Sequence, residues 1–482
     1  MTERVITTEK CGSEVKVLEM ALRREERAEQ QLELLERCGA DGCVVCLNMN
    51  IAGPVKRSGL ADNAFLSAVR ALKAAFFVQE NGQESPLVSS LFINRRTGIE
   101  ALFALKGDAE QIKNRCVEIE EASPAGRLFD IDVIVQGGRK LARNAPRKCL
   151  ICGENAYVCA RSRAHSVPEL QAKTRELLGE ALAEETAEFA VRALEAEVHV
   201  TPKSGLVDEI NNGANPDMDI AMFERSAETL RPFFREIALS VLAAGKDALY
   251  SEELASRLRE IGLAAENAML TATGGINTHR GAIYSIGLLT AARAACVAFT
   301  GIPAEDAAED SLFPEPAENC RLIAALLARS LGDGTYPESK GAVVRKKYGV
   351  GGAVEQAAAG FPLAEVAKRA KTEYDNNLKE KAHETLGWAV GLIAVMAQLD
   401  DNNALRRGGK DGANFVKTRA AELLEYAKTA SSEELRAALT EFDTELTERN
   451  ISCGGAADML AAGIFLRRIE QEKEYACGLF KN

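Results

Sequence analysis

The sequence lacks a visible secretory signal, and its most apolar helix candidate is too short to cross a membrane. The most apolar helix candidate, WAVGLIAVMAQL at 388–399, falls short of the about 20 residues that a spanning helix needs. The opening MTERVITTEK is polar and charged, unlike a signal peptide. We therefore expect a cytoplasmic protein with no membrane partner, in which residues 388–399 form a core helix.

An excess of positive charge is also missing. Lys and Arg number 59 against 71 Asp and Glu, a net charge of -12, which argues against nucleic acid as the main partner. No G-x-x-x-x-G-K-[ST] motif occurs, so any bound nucleotide is not held by a P-loop. Twelve cysteines without an export signal indicate reduced thiols rather than a disulfide framework.

The 482 residues exceed what one compact core accommodates, so we expect two or three domains. No linker, repeat or low-complexity segment marks a boundary. Up to about residue 168, helical and strand-like segments alternate in the order α-β-α-β-β-α-β, which predicts an α+β domain. The helices are expected at 14–38, 64–79 and 108–122, the strands at 43–51 and 128–135, and a hairpin at 87–107 around Arg96-Thr97-Gly98.

Beyond residue 168 strand signals nearly vanish, and the pattern predicts an all-α domain. The boundary is expected near 176–184, which divides the chain into domains 1–178 and 179–482. Helices are expected at 168–198, 219–244, 251–264, 281–298, 317–331, 361–400, 413–428, 432–449 and 455–474.

The stretch GRLFDIDVIVQGGR at 126–139 carries two carboxylates on one side of a predicted strand. Alternate strand residues share a face, so Asp130 and Asp132 point the same way. Neighbouring like charges repel unless a cation lies between them, and Mg²⁺ prefers such oxygen ligands. The alternative is a solvated strand face. A cluster of basic residues follows downstream, with Glu154 as the one opposing charge. Such a cluster suits a polyphosphate or an acidic protein partner. Its members are Arg139, Lys140, Arg143, Arg147, Lys148, Arg161 and Arg163.

Four cysteine and histidine residues form C-x₂-C-x₆-C-x₅-H through Cys149, Cys152, Cys159 and His165. Thiolates and an imidazole can hold a tetrahedral zinc ion. The spacing differs from that of standard zinc fingers, so buried or free thiols are favoured over zinc, and a zinc-dependent nucleic-acid binder is disfavoured by the net charge. Cys43 and Cys46 lie in an apolar strand and are expected in the core.

Polar, glycine-containing loops precede several predicted helices of the second half. Helix N-termini bind anions through free N–H groups and the helix dipole, although each loop alone is explained as well by turn formation or dipole compensation. Their recurrence predicts one shared pocket. The loops are TPKSGLVDEINNGANPDMD (201–219), GGINTHRGAIYSIG (274–287), DDNNALRRGG (400–409) and NISCGGAADML (450–460).

These motifs resemble two known families. Residues 41–175 resemble the citrate lyase holo-acyl-carrier-protein synthase family, a phosphoribosyl-dephospho-coenzyme A transferase, through LNMNIAGPVKRS, TGIEA, GRLFDIDV and CLICGENAYVCARSRAHSVPEL. Residues 185–470 resemble triphosphoribosyl-dephospho-coenzyme A synthase through GLVDEINNGA, DMD, GINTHRGAI, RRGG and GGAADMLA.

The resemblance implies a fused, bifunctional enzyme whose N-terminal domain is nucleotidyltransferase-like. The synthase would join ATP to dephospho-coenzyme A and expel adenine. The transferase would move the product onto a serine of the apo acyl-carrier subunit of citrate lyase and release pyrophosphate. Asp130 and Asp132 would be catalytic Mg²⁺ ligands, with substrate bound by Arg127, Arg139, Arg161 and Arg163.

For the synthase half, the resemblance implies Asp208 as base or hydroxyl-orienting group and His279 as a catalytic phosphate contact. Asp458 would contact a metal or the ribose. The further substrate-binding residues would be Lys203, Asn212, Asn277, Thr278, Arg280 and Arg407.

The sequence departs from the synthase pattern at several positions: Ser204, Asn215, Val354, Gln356, Asn402 and Cys453. Val354 and Gln356 stand where arginine and glutamate are usual. The alternatives are therefore an active transferase fused to a non-catalytic helical module that binds nucleotide or carrier, or the equivalent role for malonate decarboxylase.

Overall fold

A computed structural model describes residues 3–6, 12–77, 85–299, 316–332, 340–377 and 384–480. The chain forms two compact units. The first comprises Met1–Leu182 with Val297–Ile302 and Glu472–Asn482, and the second comprises Ala183–Cys296 with Pro303–Gln471. The two-domain organisation expected from the sequence is confirmed.

The N-terminal unit contains a six-stranded sheet in the order β1-β3-β4-β2-β5-β6. All neighbours are antiparallel except β1 and β3, which are parallel. The predicted strands and hairpin are confirmed, whereas β1 and β6 were not predicted. The strands are β1 (Glu3–Ile6), β2 (Gly42–Met49), β3 (Leu87–Arg95), β4 (Gly98–Lys106), β5 (Phe129–Val135) and β6 (Arg139–Lys140).

The helices of this unit are α1 (Val17–Cys38), α2 (Gly59–Phe76), α3 (Ala109–Glu121) and α4 (Ala156–Ser162). Ser58 and Asp108 cap the N-termini of α2 and α3 with side-chain oxygens, which satisfies otherwise unpaired N–H groups. Residues 78–79 of the predicted second helix lie outside the described residues. The short α4 was not predicted.

Strand register decides which side chains share a face. Cys46 lies opposite Asp132 and Asn48 opposite Asp130 in the pairing of β2 with β5. In the pairing of β5 with β6, Ile134 lies opposite Lys140 and Val135 opposite Arg139. Because alternate residues of a strand point to opposite faces, Lys140 shares the face of the aspartate pair and Arg139 does not.

The described part of the second unit is helical, as predicted. The expected helix 361–400 is helical over Pro362–Asn377 and Glu384–Met396, and its residues 378–383 lie outside the described part. The expected helix 413–428 begins just after Gly409, whose φ of 63° interrupts the helical backbone. A short helical stretch precedes this kink, and Asp401 caps its N-terminus with two hydrogen bonds. The helices from residue 167 onward are α5 (Val167–Val198), α6 (Ile220–Ala244), α7 (Glu252–Ala272), α8 (Arg280–Ala298), α9 (Pro316–Leu331), α10 (Lys340–Tyr348), α11 (Gly352–Ala358), α12 (Pro362–Asn377), α13 (Glu384–Met396), α14 (Asn402–Tyr426), α15 (Ser432–Glu448) and α16 (Gly454–Phe480). Of these, α5 up to Leu182, the last two residues of α8 and α16 from Glu472 belong to the first unit.

Two apolar helices lie in the core of this unit. Trp388, Val390 and Leu392 of α13 are buried, as predicted for the segment 388–399. By length and composition α8 is apolar enough to span a membrane, but 72% of its apolar window is buried inside the protein.

Candidate active sites

The aspartate pair lies on β5, with both carboxylates on one face of the sheet. The side chain of Asp130 is 47% exposed and that of Asp132 is 21% exposed, so a ligand can reach both. Lys140 Nζ donates to Asp132 Oδ2 at 2.5 Å, and Arg147 Nη2 lies 3.6 Å from Asp130 Oδ1. Partial burial acts to lower the pKa of Lys140, but the hydrogen bond to Asp132 outweighs burial, and the pKa is raised. The chain thus supplies two cations beside the pair.

A third side chain with an oxygen atom, Asn48, shares this face of the sheet. Asn48, opposite Asp130 across the strand pair, is buried, and its side-chain oxygen Oδ1 has no hydrogen-bond partner. A buried polar atom without a partner costs free energy unless a ligand or water satisfies it. The donor set of two carboxylates and one amide oxygen therefore fits a hard divalent cation.

The basic residues after β5 are compensated more than their sequence neighbourhood indicates. Glu120 of α3 is buried and accepts hydrogen bonds from Arg147 and from the backbone N–H of Ile131. Burial raises the pKa of Glu120 even though Arg147 acts against that change. Arg143 donates to Glu121 at 2.7 Å. Glu120 and Glu121 lie outside the segment that holds the basic residues, so the local sequence did not reveal this pairing. The helix α3 is remote in sequence but adjacent in space.

Among the described residues, none of the four arginines predicted to bind substrate forms a hydrogen bond or ion pair with the aspartate pair. Arg139 lies on the opposite face of the sheet. Arg127 donates to the carbonyls of Lys148 and Cys149 at 3.2 and 2.9 Å and thereby holds the following loop. Arg161 donates to the hydroxyl of Tyr157 at 3.0 Å. Arg163 ends α4 in a left-handed conformation and is exposed. Lys140 and Arg147 are the cations that contact the pair.

The helical unit encloses a cavity of about 1250 Å³. Residues from all four predicted loops meet on its wall, as expected for one shared pocket. The predicted site residues on this wall are Lys203, Asn277, Thr278, His279, Arg280, Arg407 and Asp458.

Asp208 and Asn212 are absent from the residues that line this cavity. The carboxylate of Asp208 accepts hydrogen bonds from the backbone N–H groups of Lys203, Ile210 and Asn211 at 2.8, 2.8 and 3.0 Å. Asp208 therefore shapes the loop that carries Lys203, and its placement does not fit the predicted role of base. Asn212 is exposed.

His279 is buried at the start of α8. Its Nδ1 lies 2.7 Å from Ser226 Oγ, which in turn lies 2.7 Å from Thr278 Oγ1. Its Nε2 is buried without a partner. Burial, reinforced by the charge of Lys203, lowers the pKa of His279 to about 3. The imidazole is therefore neutral near pH 7 and offers one hydrogen bond to a ligand rather than a positive charge.

Asp458 lies one turn into α16 rather than in its first turn, where the sequence predicted it. It faces the N-terminus of α8, where the backbone N–H of Ala282 donates to it. Gly281 packs directly on its carboxylate, and a Cβ at that position would collide with Oδ2. Burial raises the pKa of Asp458 well above its usual range, and the nearby Glu197 and Asp401 add to the effect. Such a shift favours the protonated form of the carboxyl.

The cations of the cavity differ in how firmly they are engaged. Lys203 is buried and donates to Glu197 Oε1 at 2.9 Å. Arg280 donates to Glu266 at 2.9 Å through Nε. Arg407 donates to the carbonyl of Ala214 at 2.6 Å and to Asn215 Oδ1 at 2.8 Å. Burial lowers the pKa of Arg407.

Sequence reasoning missed further polar wall residues: Glu197, Asp217, Glu266, Asp400, Asn403, Arg406 and Ser452. Arg406 stands beside Arg407 in the RRGG motif and is exposed; that motif was the available signal. The wall also includes four positions that depart from the family pattern, namely Asn215, Val354, Gln356 and Asn402.

Comparisons with known proteins match both halves of the chain. Residues 15–181 match the family apo-citrate lyase phosphoribosyl-dephospho-CoA transferase, and residues 183–476 match the family ATP:dephospho-CoA triphosphoribosyl transferase. Protein CitXG of Haemophilus influenzae is 35% identical over 94% of this chain and 96% of its own length. Protein CitXG of Leuconostoc mesenteroides subsp. cremoris is 28% identical over 95% and 98%. The 2-(5''-triphosphoribosyl)-3'-dephosphocoenzyme-A synthase of Klebsiella pneumoniae is 38% identical over 59% and 90%.

Proposed function

Since this chain belongs to the CitXG family, in which a phosphoribosyl-dephospho-CoA transferase is fused to a triphosphoribosyl-dephospho-CoA synthase, we propose how its two sites divide the two reactions. The chain is a bifunctional transferase that makes and attaches the citrate lyase prosthetic group. We assign the transferase to residues 1–178 and the synthase to residues 179–482. The observation that carries the assignment is that residues from four separate loops meet in one cavity of the helical unit.

The aspartate face of the sheet is the proposed transferase site, on a nucleotidyltransferase-like fold. Asp130, Asp132 and Asn48 would hold Mg²⁺, which when bound neutralises charge on a polyphosphate. Lys140 and Arg147 contact the same carboxylates and are placed to hold the phosphates of triphosphoribosyl-dephospho-CoA. The serine oxygen of the apo acyl-carrier subunit attacks the phosphorus that carries the pyrophosphate group. The new oxygen–phosphorus bond forms as the bond from that phosphorus to pyrophosphate breaks.

The cavity is the proposed synthase site, where ATP and dephospho-CoA react. A hydroxyl of dephospho-CoA attacks the anomeric carbon of the ATP ribose, and the bond to adenine breaks. Adenine leaves more readily when it is protonated. The pKa of Asp458 is raised well above its usual range by removal from solvent, so Asp458 is the proposed proton donor to adenine, in place of the metal or ribose contact expected from the resemblance.

Other wall residues bind and orient the substrates. Arg280, Arg406 and Arg407 line the cavity and would contact the triphosphate. The unpartnered Nε2 of His279 would form one hydrogen bond with a substrate as a neutral group. Lys203 would act with Glu197 to close one wall, and Asn277 and Thr278 flank His279 at the mouth of α8.

The cytoplasm is the proposed location. Each cysteine in the described part of the chain is a free thiol, which is usual where glutathione keeps thiols reduced.

The proposal is tested by mass spectrometry of the carrier subunit after incubation with this chain, ATP, dephospho-CoA and Mg²⁺. A serine modified by the prosthetic group, together with free adenine in solution, is expected. Adenine without carrier modification would remove the transferase assignment, and neither product from an intact fold would remove both assignments.

Two substitutions separate the sites. Asp130→Asn should lower carrier labelling about 100-fold or more and leave adenine release unchanged. The matched control is Glu118→Gln, which removes an exposed acid from α3.

Asp458→Asn should lower adenine release by a similar factor. Its control is Asp411→Asn, on the exposed face of α14. Parental adenine release should also fall as pH rises through the raised pKa of Asp458. Unchanged adenine release in Asp458→Asn would contradict its role as proton donor.

A second candidate function is a non-catalytic helical module that binds nucleotide or carrier. It is favoured by one observation, because the substituted positions Val354 and Gln356 lie on the wall of the cavity itself. In that case the parent releases no adenine, and the double variant Val354→Arg/Gln356→Glu gains release. Release by the parent excludes this candidate.

A further inference from the structure

Four potential metal ligands converge in the segment that follows the aspartate strand. The ligand atoms of Cys149, Cys152, Cys159 and His165 all lie within 4.8 Å of one another, and among the described residues no other group of three or more His, Cys, Asp or Glu does so. Cys152 Sγ lies 3.5 Å from Cys159 Sγ and 3.3 Å from His165 Nε2. The unusual sequence spacing therefore does not prevent the four side chains from meeting.

The backbone of this segment is shaped around the first two cysteines. Cys149 N–H donates to the carbonyl of Glu154 at 2.5 Å, and Lys148 bridges to Asn155, which closes a tight hairpin. Gly153 adopts a φ of 77°, a conformation that side chains disfavour. The backbone N–H groups of Ile151 and Cys152 point at Cys149 Sγ. These contacts fix the position of the Cys149 sulfur within the hairpin.

The distances fit one tetrahedral ion better than the alternatives. With Zn–S near 2.3 Å and Zn–N near 2.0 Å, neighbouring ligand atoms of a tetrahedral site lie roughly 3.5–3.8 Å apart. The separations of 3.5 and 3.3 Å are close to this range. A disulfide would need a sulfur separation of about 2.0 Å.

The stability of this segment also needs an explanation. The helix α4 has seven residues and no buried side chain, and Tyr157 and Val158 are 66% and 58% exposed. An isolated helix of this length is unstable in water, and no apolar packing holds it here. Cys159 lies on α4 and His165 just beyond it, so a metal bound to both would hold the helix to the hairpin.

We propose that Cys149, Cys152, Cys159 and His165 bind one zinc ion as a structural site. Four protein ligands complete the tetrahedral coordination, which leaves no open position for substrate. The site orders residues 147–165, including Arg147, the cation that lies 3.6 Å from Asp130. It is independent of the assignment of the two reactions, because it rests on this segment alone.

The test is metal analysis of the full-length chain, purified without chelator, and of two variants in each of which one cysteine is replaced. About one zinc per chain is expected in the parent. Cys152→Ser should lower bound zinc by more than the roughly tenfold that loss of an outer-shell partner costs. Cys477→Ser is the matched control, since this partly buried cysteine lies outside the cluster, and it should retain the parental zinc content.

Two measurements on the unaltered parent keep the proposal testable even if Cys152→Ser fails to fold. Replacement of zinc by Co²⁺ should give the visible bands of a tetrahedral ion and a thiolate-to-metal charge-transfer band. Removal of metal by a chelator should raise amide hydrogen exchange in residues 147–165. The absence of zinc and of any Co²⁺ uptake, equal zinc in the two variants, or recovery of a Cys152–Cys159 disulfide would each overturn the proposal.

Discussion

Burial acts on two ionisable side chains of the cavity in the same sense. In both cases the neutral form is favoured, since burial lowers the pKa of the His279 imidazole to about 3 and raises that of the Asp458 carboxyl. A charged form would have to leave water without a full set of partners. In the proposed synthase reaction, His279 is a neutral hydrogen-bonding group and Asp458 is the proton donor, which suits the departure of a purine base.

The buried imidazole predicts a pH dependence of stability. The unfolded chain binds a proton to His279 below about pH 6.5, whereas the folded chain does so only near pH 3. The contribution of His279 is therefore fully present above pH 6.5, and it falls by roughly 1.4 kcal/mol per pH unit as the pH drops towards 3.

The measurement is chemical unfolding of the parent and of His279→Gln at pH 7, 6 and 5. The parent's free energy of unfolding should fall more steeply than that of the variant. Parallel curves for the parent and His279→Gln would show that this imidazole is not buried as described.

At the scale of elements, the N-terminus of α8 lies in close contact with α16. Gly281 leaves space for the Asp458 carboxylate of α16, and the N–H of Ala282 donates to it. The contact combines a hydrogen bond with the positive end of the helix dipole. A side chain at position 281 would remove both by displacing the carboxylate.

Gly281→Ala should therefore lower the rate of adenine release at least about tenfold, since displacement of a catalytic group by about 1 Å can cost 100-fold. Gly262→Ala is the matched control, because Gly262 also lines the cavity but a Cβ there meets no atom within 4 Å. In the control the rate should stay unchanged and the helix should gain roughly 0.5–1 kcal/mol. Equal rates in the two variants would contradict the proposed contact.

At the scale of the whole molecule, each proposed site is built from residues of a single compact unit. Each reaction then needs only one functional unit. A chain with a defective transferase site and a chain with a defective synthase site should therefore complement each other, because the triphosphoribosyl-dephospho-CoA made by one can be used by the other.

Mixing Asp130→Asn with Asp458→Asn, in the presence of ATP, dephospho-CoA and the carrier subunit, should restore labelling to within about tenfold of the parent. Each variant alone should label about 100-fold less than the parent. The readout is the mass of the carrier subunit over time, and a mixture of two wild-type preparations at the same total concentration is the reference. A mixture that labels no better than either variant would show that the intermediate does not leave the chain that made it.

The sequence by itself determined the elements and several of the contacts that follow from local periodicity. Alternation along β5 places Asp130 and Asp132 on one face, and the turn at Arg96-Thr97-Gly98 joins β3 to β4, because strand geometry repeats every two residues. The change from mixed to helical patterning near residue 168 predicted two domains. These properties depend on neighbours in the chain.

Only the tertiary structure decided which charges meet. Glu120 and Glu121 of α3 neutralise Arg147 and Arg143, register turns Arg139 away from the aspartates, and backbone N–H groups occupy Asp208. The convergence of Cys149, Cys152, Cys159 and His165 likewise depends on how a hairpin meets a short helix. Electrostatic and coordinating interactions depend on distance in space, and residues remote in sequence set that distance.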